Sequence, residues 1–402
     1  MDNINTKPNN KLIHSAPNME VYYIPSMQFK TNIITFFFID NLRRESVTKN
    51  AMVPAVLRRG CTKYPTMNQI SLQLEKLFGA SFDCGVIKKG EYHILFFYVE
   101  CICDNYLPKK MEFIKEGYLF RNCIDLLTDI ITDPVVENEA FKPNYVKQEK
   151  DNLLHLIEGR VNDKVKYAID RCFEEVCKDE PYSIYEYGDI TELNDINEIN
   201  LYIHYKKIIN EYPIKVFACG NINNENISYL KDALINKKIE NNNPLKKIIK
   251  DNDEIIKGSE KAGKNIDNKR YENDALKEVT ETLDITQAKL SICFNTFVNP
   301  NANDYYPLLV HNSILDGGMN SKLFKNVREK EGIAYYIFSQ YEKFKGLLLV
   351  TCGIDIQNKE KAIKLILEQI EEIKSGNISN IEYESALKSI ENGINSLKDN
   401  QI

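Results

Sequence analysis

The sequence has few histidines, which limits the metal chemistry it can support. Its five histidines are spread along the chain, at positions 14, 93, 155, 204 and 311, and they form no cluster with metal-ligand spacing. The ten cysteines include no Cys-x-x-Cys pair, so a structural zinc knuckle is not expected either. We interpret these cysteines as buried free thiols in a reducing cytosol.

An excess of positive charge and long apolar runs are also missing. The net charge is -6, and the basic residues are interspersed with acidic ones, so nucleic acid is not an expected partner. The longest apolar runs, near Ile33–Ile39 and Ile94–Val99, are too short to cross a bilayer. The first residues, Met1–Thr6, lack the basic region and apolar core of a signal peptide. The sequence therefore predicts a cytoplasmic protein with no membrane partner.

The chain does contain enough apolar residues for more than one core. Of its 402 residues, 43% are hydrophobic, and this length favours at least two domains. Strand-like and helical patterns run through 1–235, and a similar order recurs in 283–402, which suggests a duplication. The intervening 236–282 is rich in Lys, Asn, Asp and Glu, so we predict a linker there. A helical pattern is still running at Ile402, so the second domain is expected to be truncated.

The most informative stretch runs from Gly317 to Tyr335. Its paired glycines break a helical pattern, a short helix follows, Gly332 ends that helix, and a strand begins beside Tyr335. Arg328 falls in the last turn of the helix, so two hydrogen-bonding side chains are presented at one junction. On spacing alone, Arg328 can equally complement the helix C-terminus, and Tyr335 can be a half-buried strand aromatic.

This stretch resembles the C-terminal-domain signature of the pitrilysin/insulinase family of zinc peptidases, in the form Gly-Gly-Met-x-Ser-x-Leu-Phe-x-x-Val-Arg-Glu-Lys-x-Gly-x-Ala-Tyr. The resemblance implies an α+β fold with two similar α/β-sandwich domains, whose mainly antiparallel sheets face each other across a cleft. It also implies that Arg328 and Tyr335 hold the backbone of a peptide substrate. In the family, the tyrosine helps to stabilise the carbonyl oxygen as it becomes tetrahedral.

The zinc motif of that family is missing from this sequence. The family carries His-x-x-Glu-His on a helix of its N-terminal domain, shortly before a Lys-Gly-Thr-like turn. The run Arg59–Pro65 resembles that turn, and counting back from it gives Ala51–Ala55, which reads Ala-Met-Val-Pro-Ala. Alanine has no lone pair to offer a metal, and proline cannot accept a proton. We therefore predict no metal, no cofactor and no catalytic residue in this chain.

Three further segments are weaker matches to functional motifs. Glu149 resembles a family glutamate near the third zinc ligand, but the ligand position seven residues later is Leu156. The run His155-Leu-Ile-Glu lacks a second histidine, so we interpret His155 as a surface or core residue. Gly258–Asn265 imitates a phosphate-binding loop, but it lacks the Ser/Thr that would bind magnesium and the strand that would precede it.

The resulting hypothesis is a non-catalytic member of the family, similar to the YfmF-like group of Firmicute proteins and to the inactive subunits of two-chain peptidases. In such enzymes one subunit carries zinc and the other carries the Arg/Tyr pair. The resemblance implies that Arg328 and Tyr335 act on a peptide bound beside a zinc-bearing partner of the same family, or in a self-dimer, with this chain forming one chamber wall. It also implies a link to modification of translation elongation factor P. The alternatives are a scaffold without catalytic contribution and a metallopeptidase with an unrecognised metal site.

Overall fold

The computed structural model describes residues 10–107, 117–237, 239 and 277–399. Its contacts divide the chain into two compact units. Among the described residues, unit 1 contains 10–158 and 184–239, and unit 2 contains 159–183 and 277–399. Most of the predicted linker and all of the phosphate-loop-like run Gly258–Asn265 lie outside the described residues.

Unit 1 is built on a six-stranded sheet with the strand order β1-β2-β8-β3-β5-β4. All neighbours in this sheet are antiparallel except β2 and β8, which are parallel. Buried and half-exposed residues alternate along β5, as expected when one face of a sheet packs on helices. The strands of unit 1, including the separate two-stranded hairpin β6–β7, are β1 (Lys11–Ala16), β2 (Met19–Pro25), β3 (Thr31–Asn41), β4 (Ser81–Lys89), β5 (Tyr92–Ile102), β6 (Val136–Glu137), β7 (Ala140–Phe141) and β8 (Ile214–Gly220).

Helices cover one face of this sheet and complete the core of unit 1. Phe38 of β3 and Phe97 of β5 lie at the centre, with their ring centroids 5.9 Å apart in an edge-to-face arrangement. This geometry favours aromatic pairs beyond their buried area. The helices up to residue 239, of which only α5 belongs to unit 2, are α1 (Arg44–Leu57), α2 (Met67–Lys76), α3 (Tyr118–Thr132), α4 (Pro143–Gly159), α5 (Lys164–Val176), α6 (Ile190–Asn194), α7 (Glu198–Glu211) and α8 (Asn224–Asn236).

Helix α4 begins later than its sequence pattern predicts. The apolar periodicity predicts a helix over 137–156, but the helix starts at Pro143 and is preceded by the hairpin β6–β7. The two turn residues of this hairpin, Asn138 and Glu139, have φ values of 52° and 60°. A two-residue hairpin turn of this kind needs positive φ at both positions, for which glycine is the usual signal. Because the second position is glutamate, the sequence contained no recognisable turn.

A buried polar cluster fixes α1 against the sheet and α7. The Nδ2 of Asn50 on α1 lies 3.4 Å from Oδ2 of Asp40 and 3.3 Å from Nδ1 of His93. The Oδ1 of Asn50 lies 2.8 Å from Nε2 of His204 and 3.2 Å from the hydroxyl of Tyr212, which also donates to Asp40 at 2.9 Å. Because an amide nitrogen only donates and an amide oxygen only accepts, His93 accepts through Nδ1 and His204 donates through Nε2.

Unit 2 contains a three-stranded antiparallel sheet with the order β10-β11-β9. On one face of β11, Val350 and Cys352 join a core with residues of the surrounding helices. On the other face, Leu347 and Leu349 pack against Phe173 of α5. The remaining elements of unit 2 are β9 (Ala288–Asn295), α9 (Tyr305–Asp316), a π-helix (Leu323–Lys330), β10 (Ala334–Glu342), β11 (Leu347–Ile354), α10 (Lys359–Lys374) and α11 (Asn380–Lys398).

The segment 159–183 belongs with unit 2, which differs from the predicted boundary of the N-terminal domain at 1–235. Besides its apolar contact with β11, helix α5 is held by ion pairs on its outer side. Arg171 Nε lies 2.7 Å from Glu281, and Lys277 Nζ lies 2.8 Å from Glu175. Composition alone does not reveal which unit α5 packs against, because an amphipathic helix has the same composition whichever sheet its apolar face covers.

The two units repeat one order of elements. Unit 1 runs β3-α1-α2-β4-β5-α3-α4, and unit 2 runs β9-α9-π-helix-β10-β11-α10-α11. The strand neighbours also correspond, since β3-β5-β4 in unit 1 matches β9-β11-β10 in unit 2. This confirms the predicted α+β fold with mainly antiparallel sheets. Among the described helices, none is both long and apolar enough to cross a membrane.

The buried histidines of unit 1 should make its stability depend on pH. Burial lowers the pKa of both His93 and His204 to about 4, whereas an unfolded chain titrates near 6.5. The unfolded state therefore binds more protons as the pH falls below about 6.5, and the free energy of unfolding decreases towards the folded pKa. Between about pH 7 and pH 5, each histidine should contribute a loss of about 2 kcal/mol.

Chemical denaturation of His204→Gln at the two pH values tests this expectation. Glutamine does not titrate, and its amide can still donate to Asn50, so the variant should lose about 2 kcal/mol less than the wild type on acidification. His155 lies exposed on α4, and His155→Gln should show the wild-type loss. An equal loss in wild type and His204→Gln would contradict the interpretation.

Candidate functional site

The positions where the zinc motif belongs form part of an ordinary apolar core. Ala51, Met52 and Val53 are buried in the core of unit 1, and Pro54 is buried within α1. In 10–107, 117–237, 239 and 277–399, no three His, Cys, Asp or Glu side chains are grouped as metal ligands. The residues present at this position therefore do not fit a zinc ion, because they offer neither lone pairs for the metal nor a base for water.

Glu149, which matches a glutamate near the family's third ligand, is paired with an arginine instead. The guanidinium of Arg59 forms an ion pair with its Oε1, and Asn152 donates to its Oε2 at 3.1 Å. The side chains of Arg59 and Glu149 are only 21% and 12% exposed. The guanidinium thus supplies the positive charge that a partly buried carboxylate requires. Sequence reasoning missed this pair, although Arg59 opens the turn that located the motif.

The other candidates near the third ligand do not assemble into a site. Leu156, at the expected ligand position, is an exposed apolar residue on α4. His155 of the His-x-x-Glu run is exposed on the same helix, and it belongs to no group of metal-ligating side chains within the described ranges.

Arg328 lies on a π-helix whose other side is anchored in the core of unit 2. Leu323 and Val327 are fully buried, whereas Arg328 and the two residues that follow it are exposed. The side chain of Arg328 is 43% exposed, and its guanidinium carbon lies 5.0 Å from the centroid of the Phe324 ring. A cation over an aromatic face is attracted to it. The ring therefore restrains the guanidinium while leaving its N–H groups accessible.

Tyr335 is presented by a β-bulge at the start of β10. Ala334 pairs with Ile354 of β11 and Tyr336 pairs with Gly353, so Tyr335 is the extra residue between two consecutive pairs. Bulges of this kind redirect a side chain and are frequent next to active sites. Tyr335 is 53% exposed, more than the alternative of a half-buried strand aromatic requires.

The bulge depends on a glycine in the neighbouring strand. A Cβ atom at Gly353 would lie 2.4 Å from the ring of Tyr336, a distance that van der Waals contact does not allow. The ring of Tyr336 therefore occupies the space of the missing side chain. A second glycine, Gly332, has a φ of 61° in the turn that leads into the strand, a conformation that favours glycine.

The hydroxyl of Tyr335 is held by a carboxylate that the sequence analysis did not identify. It donates a hydrogen bond to Oδ1 of Asp355 at 2.9 Å. This bond and the charge of Asp355 raise the pKa of Tyr335, so the hydroxyl stays protonated at neutral pH and remains a donor. The available signal was an acidic residue directly after β11, the strand that pairs with β10.

The structure brings Arg328 and Tyr335 to the same junction, as their spacing predicts. Both side chains are exposed there, but no hydrogen bond or ring contact joins them in the part of the chain that the structure describes. The junction of the π-helix and β10 therefore carries two separate exposed donors, a guanidinium and a phenolic hydroxyl. Such a surface can bind groups with acceptor oxygens.

Comparison with known proteins identifies the family to which this chain belongs. The family model described as the peptidase M16 inactive domain matches residues 196–390. A probable inactive metalloprotease of Bacillus subtilis (strain 168), YmfF, is 31% identical over 371 residues, which cover 92% of this chain and 81% of that protein. The resemblance identified from the sequence is to a YfmF-like group, whereas the relative found is YmfF.

Solved structures share the fold across nearly the whole chain. A conserved protein from Enterococcus faecalis V583 superposes with a TM-score of 0.80 at 26% identity, over 98% of this chain and 86% of that one. A peptidase M16 inactive domain from Pseudomonas fluorescens superposes with a TM-score of 0.70 at 14% identity, over 96% and 84% of the two chains, and is similar in fold alone. The chain therefore belongs to the peptidase M16 family, which includes pitrilysin and insulinase, as an inactive homologue.

Proposed function

We propose that this chain is a non-catalytic subunit of an M16 zinc peptidase in the cytoplasm. It contributes Arg328, Tyr335 and one chamber wall to a zinc-bearing partner of the same family in a heterodimer, or to a second copy of itself. The observation that carries the proposal is the exposed hydroxyl of Tyr335, which a bulge presents while the positions of the metal motif hold only apolar residues. The ligand of this site is a peptide.

The chemistry of the two side chains suits a peptide backbone. A backbone carbonyl oxygen is an acceptor with two lone pairs, and Arg328 and Tyr335 carry N–H and O–H donors that match it. Charge-assisted donors are about twice as strong as neutral ones. The Tyr335 hydroxyl has one proton, which it donates to Asp355 in the described structure. A bound carbonyl oxygen would replace Asp355 as the acceptor of that proton.

Hydrolysis needs a partner because the residues at the positions of the zinc motif cannot bind zinc or activate water. Ala51 and Pro54 supply neither a ligand nor a base. The carboxylate of Glu149 is already engaged by Arg59 and Asn152. The proposal therefore assigns binding to this chain and bond cleavage to the zinc of the partner.

The proposed link to modification of translation elongation factor P rests on the family resemblance alone. It names a substrate hypothesis and does not alter the chemistry of the junction. The alternative function is a scaffold, for which Arg328 and Tyr335 would be dispensable. The variants described next therefore decide between substrate binding by this pair and a scaffold role.

Replacing Tyr335 by phenylalanine should reduce peptide turnover by the reconstituted pair of subunits. The variant keeps the ring but removes a donor that would face developing negative charge, and such a loss costs about 3 kcal/mol, or roughly a hundredfold in turnover. Tyr306→Phe removes the hydroxyl of a still more exposed tyrosine from α9 and should leave turnover unchanged. Gel filtration should show intact complexes in both cases. Wild-type turnover by Tyr335→Phe in an intact complex would favour the scaffold role.

Replacing Arg328 by alanine should weaken the binding of the peptide substrate more than it lowers the rate at which bound peptide is cleaved. The guanidinium contacts the substrate backbone in this proposal, so we expect about a tenfold or larger rise in the peptide concentration needed for half-maximal rate. Lys330→Ala removes a neighbouring exposed positive charge from the same helix and serves as the control. Equal effects of the two variants would indicate general electrostatic attraction instead of a specific contact.

The purified chain should bind no stoichiometric zinc and should cleave no peptide by itself. The reason is that Ala51–Ala55 contains only apolar residues and that Glu149 forms an ion pair with Arg59. Metal analysis after dialysis against zinc provides the measurement. One zinc per chain that disappears in His155→Ala would overturn this expectation and identify α4 as a metal site.

A further inference from the structure

Unit 2 contains a pair of cysteines that the proposed function does not use. Cys172 lies on α5 and Cys293 lies on β9, and both belong to the small apolar cluster between α5 and the sheet. The thiol of Cys293 donates a hydrogen bond to the sulfur of Cys172. The Cys172 thiol also lies 4.0 Å from the backbone oxygen of Ser291 on β9, so the two elements are in direct contact at this point.

Both thiols of this pair are partly accessible. Cys172 and Cys293 are of intermediate exposure, whereas the other hydrogen-bonded thiol pair, Cys101 and Cys123 of unit 1, is buried at 2% and 0% exposure. The first pair is therefore more accessible to a reagent in solution than the second. The hydrogen bond from Cys293 lowers the pKa of Cys172, which raises its thiolate fraction and its reactivity.

We infer that Cys172 and Cys293 are an oxidation site, at which a disulfide oxidant such as oxidised glutathione forms a reversible bond between α5 and β9. The thiolate of Cys172 attacks one sulfur of oxidised glutathione, so that its S–S bond breaks and one glutathione leaves. The thiolate of Cys293 then attacks the Cys172 sulfur and displaces the second glutathione. The two protein thiols together lose two electrons, and their two protons pass to the two glutathione molecules.

The bond has a defined structural consequence. In sequence, 159–183 lies between two stretches of unit 1, but it packs with unit 2. A disulfide from Cys172 to Cys293 would attach this segment covalently to the sheet of unit 2. Because it closes a long loop of chain, it would restrict the unfolded state strongly and resist the separation of α5 from β9. Oxidation would thereby stabilise unit 2 without touching Arg328 or Tyr335.

The test treats the full chain with oxidised glutathione, alkylates the remaining thiols and maps the peptides by mass spectrometry without reduction. We expect two of the ten cysteines to escape alkylation, a cross-linked peptide containing Cys172 and Cys293, and recovery of both thiols with a dithiol reductant. The melting temperature should rise on oxidation. Retention of all ten thiols under excess oxidant, or a bond to Cys177 instead, would overturn the inference.

Single variants identify the role of each thiol. In Cys293→Ser the second step is blocked, so glutathione should remain on Cys172 as a mixed disulfide and the melting temperature should not rise. In Cys172→Ser the attacking thiol is lost, and Cys293 should react at least tenfold more slowly. Cys84 of unit 1 is also half-buried but has no such partner thiol, and Cys84→Ser should oxidise like the wild type. Equal behaviour of Cys293→Ser and the wild type would refute the pairing.

Discussion

The side-chain amide of Asn50 is the interaction on which the architecture of unit 1 depends. Its oxygen and nitrogen contact groups from β3, β5, α7 and the residue that follows α7, and all of these groups are buried. An apolar residue at this position would leave several buried polar groups unsatisfied at once, each at a cost of about 1–3 kcal/mol. The amide therefore fixes the depth and rotation of α1 relative to the sheet.

This anchor explains how α1 keeps its position where alanine and proline stand in place of the zinc motif. Asn50 directly precedes Ala51, the first position of the missing motif. The residue that makes the polar contacts is therefore adjacent to the position where the family has its first zinc ligand. The following positions contribute packing in place of coordination. Pro54 cannot donate a backbone hydrogen bond within the helix, but its carbonyl still accepts from the amide of Arg58 at 3.0 Å and from the thiol of Cys84 at 3.3 Å. The helix is thus stabilised by ordinary core interactions.

The sequence predicts the local elements well because strand and helix periodicity are local properties. It predicts strands and helices in both 1–235 and 283–402, and the junction that carries Arg328 and Tyr335. It does not predict features that arise only from tertiary pairing. The partner of Glu149, the packing of α5 on the second sheet and the carboxylate of Asp355 all depend on residues that are far apart in the chain.

The bulge at Tyr335 illustrates the same limit and also bears on function. Sequence spacing places a tyrosine at the start of a strand, but only the register with β11 shows that it is an unpaired extra residue. Gly353 makes room for the Tyr336 ring, and Asp355 orients the hydroxyl of Tyr335. Neither feature is needed for the core of unit 2, which Leu323, Val327 and the buried residues of β11 already fill. The bulge and the bond to Asp355 therefore set where the Tyr335 hydroxyl lies, and these two features, not the exposure of the ring, support the proposed binding role.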